Sequence, residues 1–200
     1  YLIPDRFIDG YGPNIKILEQ NLDKEIDNII FLDCGSNSQD VINYLNTKKI
    51  RSIIIDHHII NDFHMPKSDV HINPTKNNQK FIDNNVCAAT LTFFFVDLVN
   101  KKLNSKFKLD DYFVFSLIST ICDLMPLRGF NRKILTIGFK NLVIKNKGLK
   151  KLISNNIKKK LTYKDIGFKI GPLINSSGRI AKANDVVELF LSQNDDKIST

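Results

Sequence analysis

Asp56, His57 and His58 stand side by side at the end of the apolar run from Ser52 to Ile55. The 200-residue chain has only four histidines, and two of them lie in this triplet. A buried strand has no packing use for a carboxylate followed by two imidazoles. The pair of ligand types suits a divalent metal: oxygen-rich sites favour Mg²⁺ or Mn²⁺, and imidazole shifts the balance towards Mn²⁺ and its neighbours. Asp33 closes a second apolar run, "IIFLD", and the flexible turn "CGSNS" follows it. Asp123 lies inside "FSLISTICDLMPL", where a carboxylate is costly unless paired or bound to metal. Taken singly, Asp33 would pass for a cap or turn former. Asp123 would pass for a surface residue in the last turn of a helix that Pro126 ends. The triplet closing a hydrophobic strand favours the ligand reading.

A second group of residues suits phosphate. "GPLINSSGR" (Gly171 to Arg179) combines small residues, hydrogen-bond donors and one arginine. As a turn it can present backbone N–H groups, Asn175 and Arg179 to an anion. "PDRFIDGYG" places Arg6 just after an expected strand. His64 and His71 lack ligand spacing and read as loop and strand residues. The lysines from Lys145 to Lys160 read as a solvated face, and Phe93, Phe94 and Phe95 as core.

These residues need a scaffold. "LIP", "NIIFLDCG" and "SIIIDHH" read as strands, and their runs are continuously apolar, as in parallel strands covered on both faces. "SNSQDVINYLNTKK" lies between the last two, with Val41, Ile42 and Leu45 at helical spacing and Ser36 or Ser38 as a cap. Strand, helix, strand makes a parallel unit with helices on the sheet faces. "DVHINP" adds a further strand. In such sheets ligands sit beyond the carboxyl ends of the strands, so Asp33 and Asp56-His57-His58 face one crevice. Neighbouring strand residues point to opposite faces, so both imidazoles serve one site only if the backbone leaves the strand at His57. Beyond Asn84 the pattern is helical: "VCAATLTFFFVDLVNKKL", "DDYFVFSLISTICDLMP", "NRKILTIGFKNLVIKN" and the lysine-rich stretch to Lys160. "TYKDIGFKIGPLINSSGRI" is expected to end in a turn, with a short amphipathic helix from about Val186 to Leu191. The fold class is therefore α/β, a parallel sheet with flanking helices over residues 1–130, followed by a mostly helical continuation over 131–200.

Composition is that of a globular chain, 42% apolar and 25% charged. No window approaches the ~18 uninterrupted apolar residues of a membrane span. The three cysteines, Cys34, Cys87 and Cys122, are scattered and lack C-x-x-C spacing, which points to a reducing, cytoplasmic setting without disulfides or a zinc knuckle. The net charge of +8 is weak support for a polyanionic partner, because Lys, Asn and Ile are abundant throughout. The opening "YLIPDRF" reads like the middle of a fold, so a fragment is expected.

The sequence resembles the DHH phosphoesterase superfamily and, within it, the bacterial RecJ family of single-strand-specific 5′→3′ exonucleases. "YLIPDRFIDGYGPN", "FLDCGSNS", "IIIDHH", "ISTICDLMPLRGFNR" and "IGFKIGPLINSSGRI" match that family's segments in order along nearly the whole chain. The resemblance implies two divalent cations, Mn²⁺ or Mg²⁺, and hydrolysis of single-stranded DNA from a 5′ end in repair and recombination. It implies that Asp33 bridges the metals, that His57 and Asp123 ligate one of them, and that His58 faces the scissile phosphate and touches metal. Asp56 orients an imidazole, and Arg6, Asn175 and Arg179 hold phosphate. It further implies a monomer working with single-strand-binding protein and a helicase. The family's Asp-x-Asp pair is not found here and is expected upstream of Tyr1, so the isolated piece is expected to be inactive. Its C-terminal and OB-fold domains are not found either. Leu173 stands where an Arg is frequent, and Thr90 where a Gly is common. Alternatives within the superfamily are an oligoribonuclease, a cyclic-dinucleotide phosphodiesterase or a manganese pyrophosphatase. Outside catalysis, the alternative is a metal-less replication scaffold.

Overall fold

The computed structural model describes residues 1–22, 25–61, 65–76, 83–180 and 183–194, without the side chains of 177–180. His64 and the Arg179 side chain therefore lie outside the described residues. The β-branched runs pair as expected. Strand β1 (Asn28–Leu32) lies parallel to β2 (Arg51–Ile55), with Asn28 opposite Arg51 and Leu32 opposite Ile55. Strand β3 (Val70–Ile72) joins the other edge of β2, also parallel, with Ile55 opposite Ile72. Because side chains alternate across a sheet, Ile54 faces one layer while Ile53 and Ile55 face the other.

Helices α1 (Ile15–Asn21) and α2 (Gln39–Thr47) cover the first face, where Leu18, Phe31, Val41, Ile42, Leu45 and Ile54 form one core. Full burial of side chains such as Ile42, Leu45 and Ile54 is worth ~1.5–3 kcal/mol each. Ser38 occupies the cap position of α2, but its side chain makes no capping bond, and Asp40 in the first turn suits the positive end of the helix dipole. Helix α3 (Ala88–Lys102) covers the second face, where Ile55, Val86 and Leu91 pack with Ile72, Phe95 and Phe130. A 3₁₀ turn, Leu109–Tyr112, then leads into α4 (Phe113–Cys122), followed by α5 (Gly129–Lys140), α6 (Lys147–Asn156), the single turn α7 (Tyr163–Asp165), α8 (Gly171–Ile180) and α9 (Ala183–Leu191). A separate helical core joins Leu117 and Ile121 of α4 to Leu149, Ile153, Ile166 and Ile170, so it draws on both sides of residue 130. No helix among the described residues is long and apolar enough to cross a membrane.

Two expectations are corrected. "LIP" is not a strand. Pro4 has no N–H for a ladder, and the Asp5 carboxylate instead accepts the N–H groups of Phe7 (2.8 Å) and Ile8 (3.2 Å), closing a turn. "GPLINSSGR" is not a turn either: all of it is helical in α8. A π-helical segment, Ile166–Ile170, runs directly into it. Pro172 cannot donate to the carbonyl four residues back, and in the widened turn just before it Gly171 N–H donates to the Ile166 carbonyl five residues back. Gly171 is there for proximity. A Cβ on it would lie 2.6 Å from Cys122 Sγ and 3.2 Å from the Ile166 carbonyl oxygen.

Helix α4 ends in a Schellman turn: Met125 N–H donates to the Thr120 carbonyl and Leu124 N–H to that of Ile121, both at 3.2 Å. Leu124 has a left-handed φ of 53° where glycine is usual, and its side chain is 88% exposed. Leu124→Gly is therefore expected to stabilise the fold by about 1 kcal/mol. The check is a rise in the urea midpoint with an unchanged slope; a fall would show that the leucine makes a contact.

Candidate metal centre

The site is built where the two central strands stop. Asp33 still donates its N–H to the Ile55 carbonyl at 2.9 Å, as a last rung of the ladder, but its backbone has turned to φ 60°. Asp tolerates this region better than most residues. Gly35 follows at φ 104°, and a Cβ there would lie 3.2 Å from Phe31 Cβ, so the chain doubles back tightly over its own strand. The turn leaves the Asp33 side chain 60% exposed.

Strand β2 ends at Ile55, and the chain leaves the sheet at Asp56-His57-His58. Asp56 is 1% exposed, and its carboxylate organises the exit. One oxygen accepts the N–H of His57 at 2.8 Å, the more distant N–H of His58 at 3.3 Å and the His58 ring Nδ1 at 2.7 Å. The other accepts the Ser36 N–H at 3.0 Å. Burial is the largest single influence on this carboxyl and opposes its ionisation. The hydrogen bonds from His58 and Ser36 together outweigh it and hold the pKa below the ordinary carboxylate value. With Nδ1–H committed to Asp56, His58 has Nε2 left to act as a ligand. The two imidazoles, 4.8 Å apart by ring centre, thus serve one place from neighbouring positions.

His57 Nε2 is buried 3.3 Å from an Asp33 oxygen and 3.1 Å from an Asp123 oxygen, yet it makes no well-angled hydrogen bond to either. The Asp33 carboxylate is the main influence raising the ring's pKa above the usual imidazole value. Burial opposes it, and Asp123 adds to the rise. Asp123 follows the last residue of α4 and is 41% exposed. Burial pushes its carboxyl up, His57 pulls it down, and Asp33 adds to the rise. Ligand atoms of Asp33, His57 and His58 all lie within 4.8 Å of one another. Two carboxylates and two imidazoles around a buried nitrogen that has near neighbours and no proper hydrogen bond fit a divalent cation.

Asp33 and Asp123 both line an open, largely apolar cavity of about 640 Å³, and Asn175 of α8 lines it too. Arg6 is exposed on the Asp5–Asp9 turn, its guanidinium carbon 5.6 Å from the centre of the Tyr11 ring. Among the described residues, no hydrogen bond or ion pair joins Arg6 to the cluster.

A family model described as "DHH family, N-terminal domain" matches residues 1–120, more than half of the chain. The chain belongs to the DHH family. The matched span carries Asp33 and the DHH triplet and ends just before Asp123. This DHH chain is 27% identical over 204 residues to the single-stranded-DNA-specific exonuclease RecJ of Haemophilus influenzae, covering 96% of the chain and 35% of that relative. It is 27% identical over 208 residues to the RecJ exonuclease of Salmonella typhimurium, covering 97% and 36%. The chain therefore spans well under half the length of these curated relatives. A crystal structure of exonuclease RecJ bound to manganese matches with a TM-score of 0.87 at 22% identity, covering 99% of this chain and 50% of that one. The likeness shows a shared DHH fold, with the parallel sheet and flanking helices read from the apolar runs.

Sequence reasoning missed the polar layer behind the DHH triplet. Ser36, His71 and Asn73 are all buried, and Ser36 Oγ lies 3.0 Å from His71 Nε2. His71 lies in a strand, as "DVHINP" predicts, and points inward, which its lack of ligand spacing does not reveal. The one signal available was a polar residue at the inward position of β3, between Val70 and Ile72.

Proposed function

We propose that this chain is the metal-binding catalytic portion of a nuclease that hydrolyses single-stranded DNA from its 5′ end with two divalent cations, Mn²⁺ or Mg²⁺. The observation that carries the reading is His57 Nε2, buried between the Asp33 and Asp123 carboxylates without a proper hydrogen bond. The relatives' names and the manganese-bound structural neighbour support the same chemistry. Asp33, His57 and Asp123 would hold the cations, and His58, whose ligand nitrogen lies beside Asp33 and His57, would add a ligand and face the scissile phosphate. Asp56 orients His58. Divalent cations at such ligands supply activation of water and charge neutralisation at the leaving oxygen.

Asn175, Arg179 and Arg6 are assigned to the terminal phosphate. With α8 helical, the backbone N–H groups of Ser176, Ser177 and Gly178 lie within a helix rather than in an open cradle, so recognition falls to side chains. A cytoplasmic monomer acting in repair and recombination, beside a single-strand-binding protein and a helicase, completes the proposal.

The test uses the full-length protein on 5′-phosphate and 5′-hydroxyl single strands. Arg179→Ala is expected to slow the phosphorylated strand by roughly ten- to hundredfold more than the hydroxyl strand, because a charge-assisted bond is worth ~1.5–3 kcal/mol. Equal slowing of both strands, or of neither, removes Arg179 as the end-reader. Absence of Mn²⁺-dependent nucleotide release by the full-length protein defeats the functional reading itself.

A further inference from the structure

We infer that Asn73 is a positioning residue: it fixes the spacing between the loop carrying Asp33 and the DHH triplet by bridging Ser36 to the His58 carbonyl. Its consequence for metal binding rests on the proposed function, whereas the bridge itself does not.

The need for such a bridge follows from where the ladder stops. The last rungs across the strand ends are Asp33 N–H to the Ile55 carbonyl (2.9 Å) and Asp56 N–H to the Ile72 carbonyl (3.0 Å). Beyond them, side chains must hold His57 and His58. Asp56 secures the N–H side of both residues. Asn73, fully buried just past β3, secures the other side. Its amide nitrogen donates to the His58 carbonyl and to Ser36 Oγ, each at 2.9 Å. Its amide oxygen accepts the backbone N–H of Thr75 at 2.8 Å, and the Thr75 hydroxyl lies 2.8 Å from that oxygen and 3.2 Å from the His58 carbonyl, so Thr75 supports the same bridge. An asparagine amide has two donors, and both are used here.

Ser36 Oγ accepts from Asn73 and also lies 3.0 Å from His71 Nε2, so the buried layer extends to β3. Burial, with Lys76 adding, lowers the pKa of His71. Ser36 also donates its N–H to Asp56. Three loops, at the exits of β1, β2 and β3, are thus latched around one buried amide. Neighbours that orient ligands are typically worth ten- to hundredfold in metal affinity.

The experiment compares Asn73→Ala and Ser36→Ala with the wild-type chain. It uses thermal unfolding, the inter-ring NOE between His57 and His58, and Mn²⁺ affinity by EPR of the free ion. Asn73→Ala is expected to remain folded, lose the NOE and weaken Mn²⁺ binding by ten- to hundredfold. Ser36→Ala, which leaves the Asn73–His58 bond in place, is expected to weaken both readouts less. An Asn73→Ala chain that keeps the NOE and binds Mn²⁺ within twofold of wild type overturns the inference. If that variant does not fold, Ser36→Ala decides on the same readouts, and wild-type behaviour there also overturns it. A wild-type chain that shows the NOE but binds no Mn²⁺ removes the metal reading, while the NOE comparison still decides the bridge.

Discussion

Replacing Asp33 or Asp123 with alanine in the full-length protein is expected to lower Mn²⁺-dependent turnover on single-stranded DNA by about 10³-fold. Asp123→Ala is expected to leave stability unchanged or slightly raised, whereas Asp33→Ala also puts alanine at a left-handed φ of 60° and loses some stability there. The loss follows from the proposed role: a catalytic cation contributes several kcal/mol at the transition state, and ~4 kcal/mol is close to three powers of ten. The stability half follows from exposure. Asp33 is 60% and Asp123 41% accessible, so truncating either leaves no buried void. Without metal, each carboxylate also repels the other, and burial already disfavours the charge on Asp123. At Asp123 function and stability thus pull in opposite directions, as at many active sites. Single-turnover nucleotide release and thermal unfolding in chelator check the two halves. Activity within tenfold of wild type in either variant discards that residue as a ligand.

Asp56→Leu is expected to cost about 3 kcal/mol or more of folding stability, because it strands the buried N–H groups of Ser36 and His57 and leaves the His58 ring unheld. Asp56→Asn separates charge from shape. The wild-type carboxyl is held below its ordinary value, so its ionic contribution is complete above ~3.9, the unfolded pKa, and is lost as pH falls through the lower folded value. The stability gap between wild type and Asp56→Asn is therefore wide at neutral pH and closes in acid. Urea unfolding across that range measures it. A gap that widens towards low pH contradicts the assignment of Asp56 as a buried anion.

The strands and the DHH triplet were legible because their signals are local. Uninterrupted Ile and Phe runs have few other homes, and the chain places Asp and His directly after them. Asp123 was harder. Nothing near it in sequence shows that its carboxylate meets His57, 66 positions earlier. Asn73 was not legible as a bridge, since "DVHINP" reads as strand throughout and nothing local marks an amide that reaches two other loops. Gly171 misled for a physical reason. Glycine serves both loops that need positive φ and helices that need close approach, and "GPLINSSGR" has the composition of the first while the structure uses the second.

That close approach couples two halves of the molecule. Gly171 meets the side chain of Cys122, the residue beside Asp123, while Asn175 lies one helical turn beyond it on α8. The shared apolar core and a long Cys122 Sγ to Ile166 carbonyl contact (4.0 Å) hold the end of α4 beside α8, and the missing side chain at Gly171 leaves room for that approach. Positions 122 and 171 are consequently coupled sterically. A side chain at 171 requires a smaller residue at 122, and a larger residue at 122 cannot be offset at 171, because glycine has nothing left to lose.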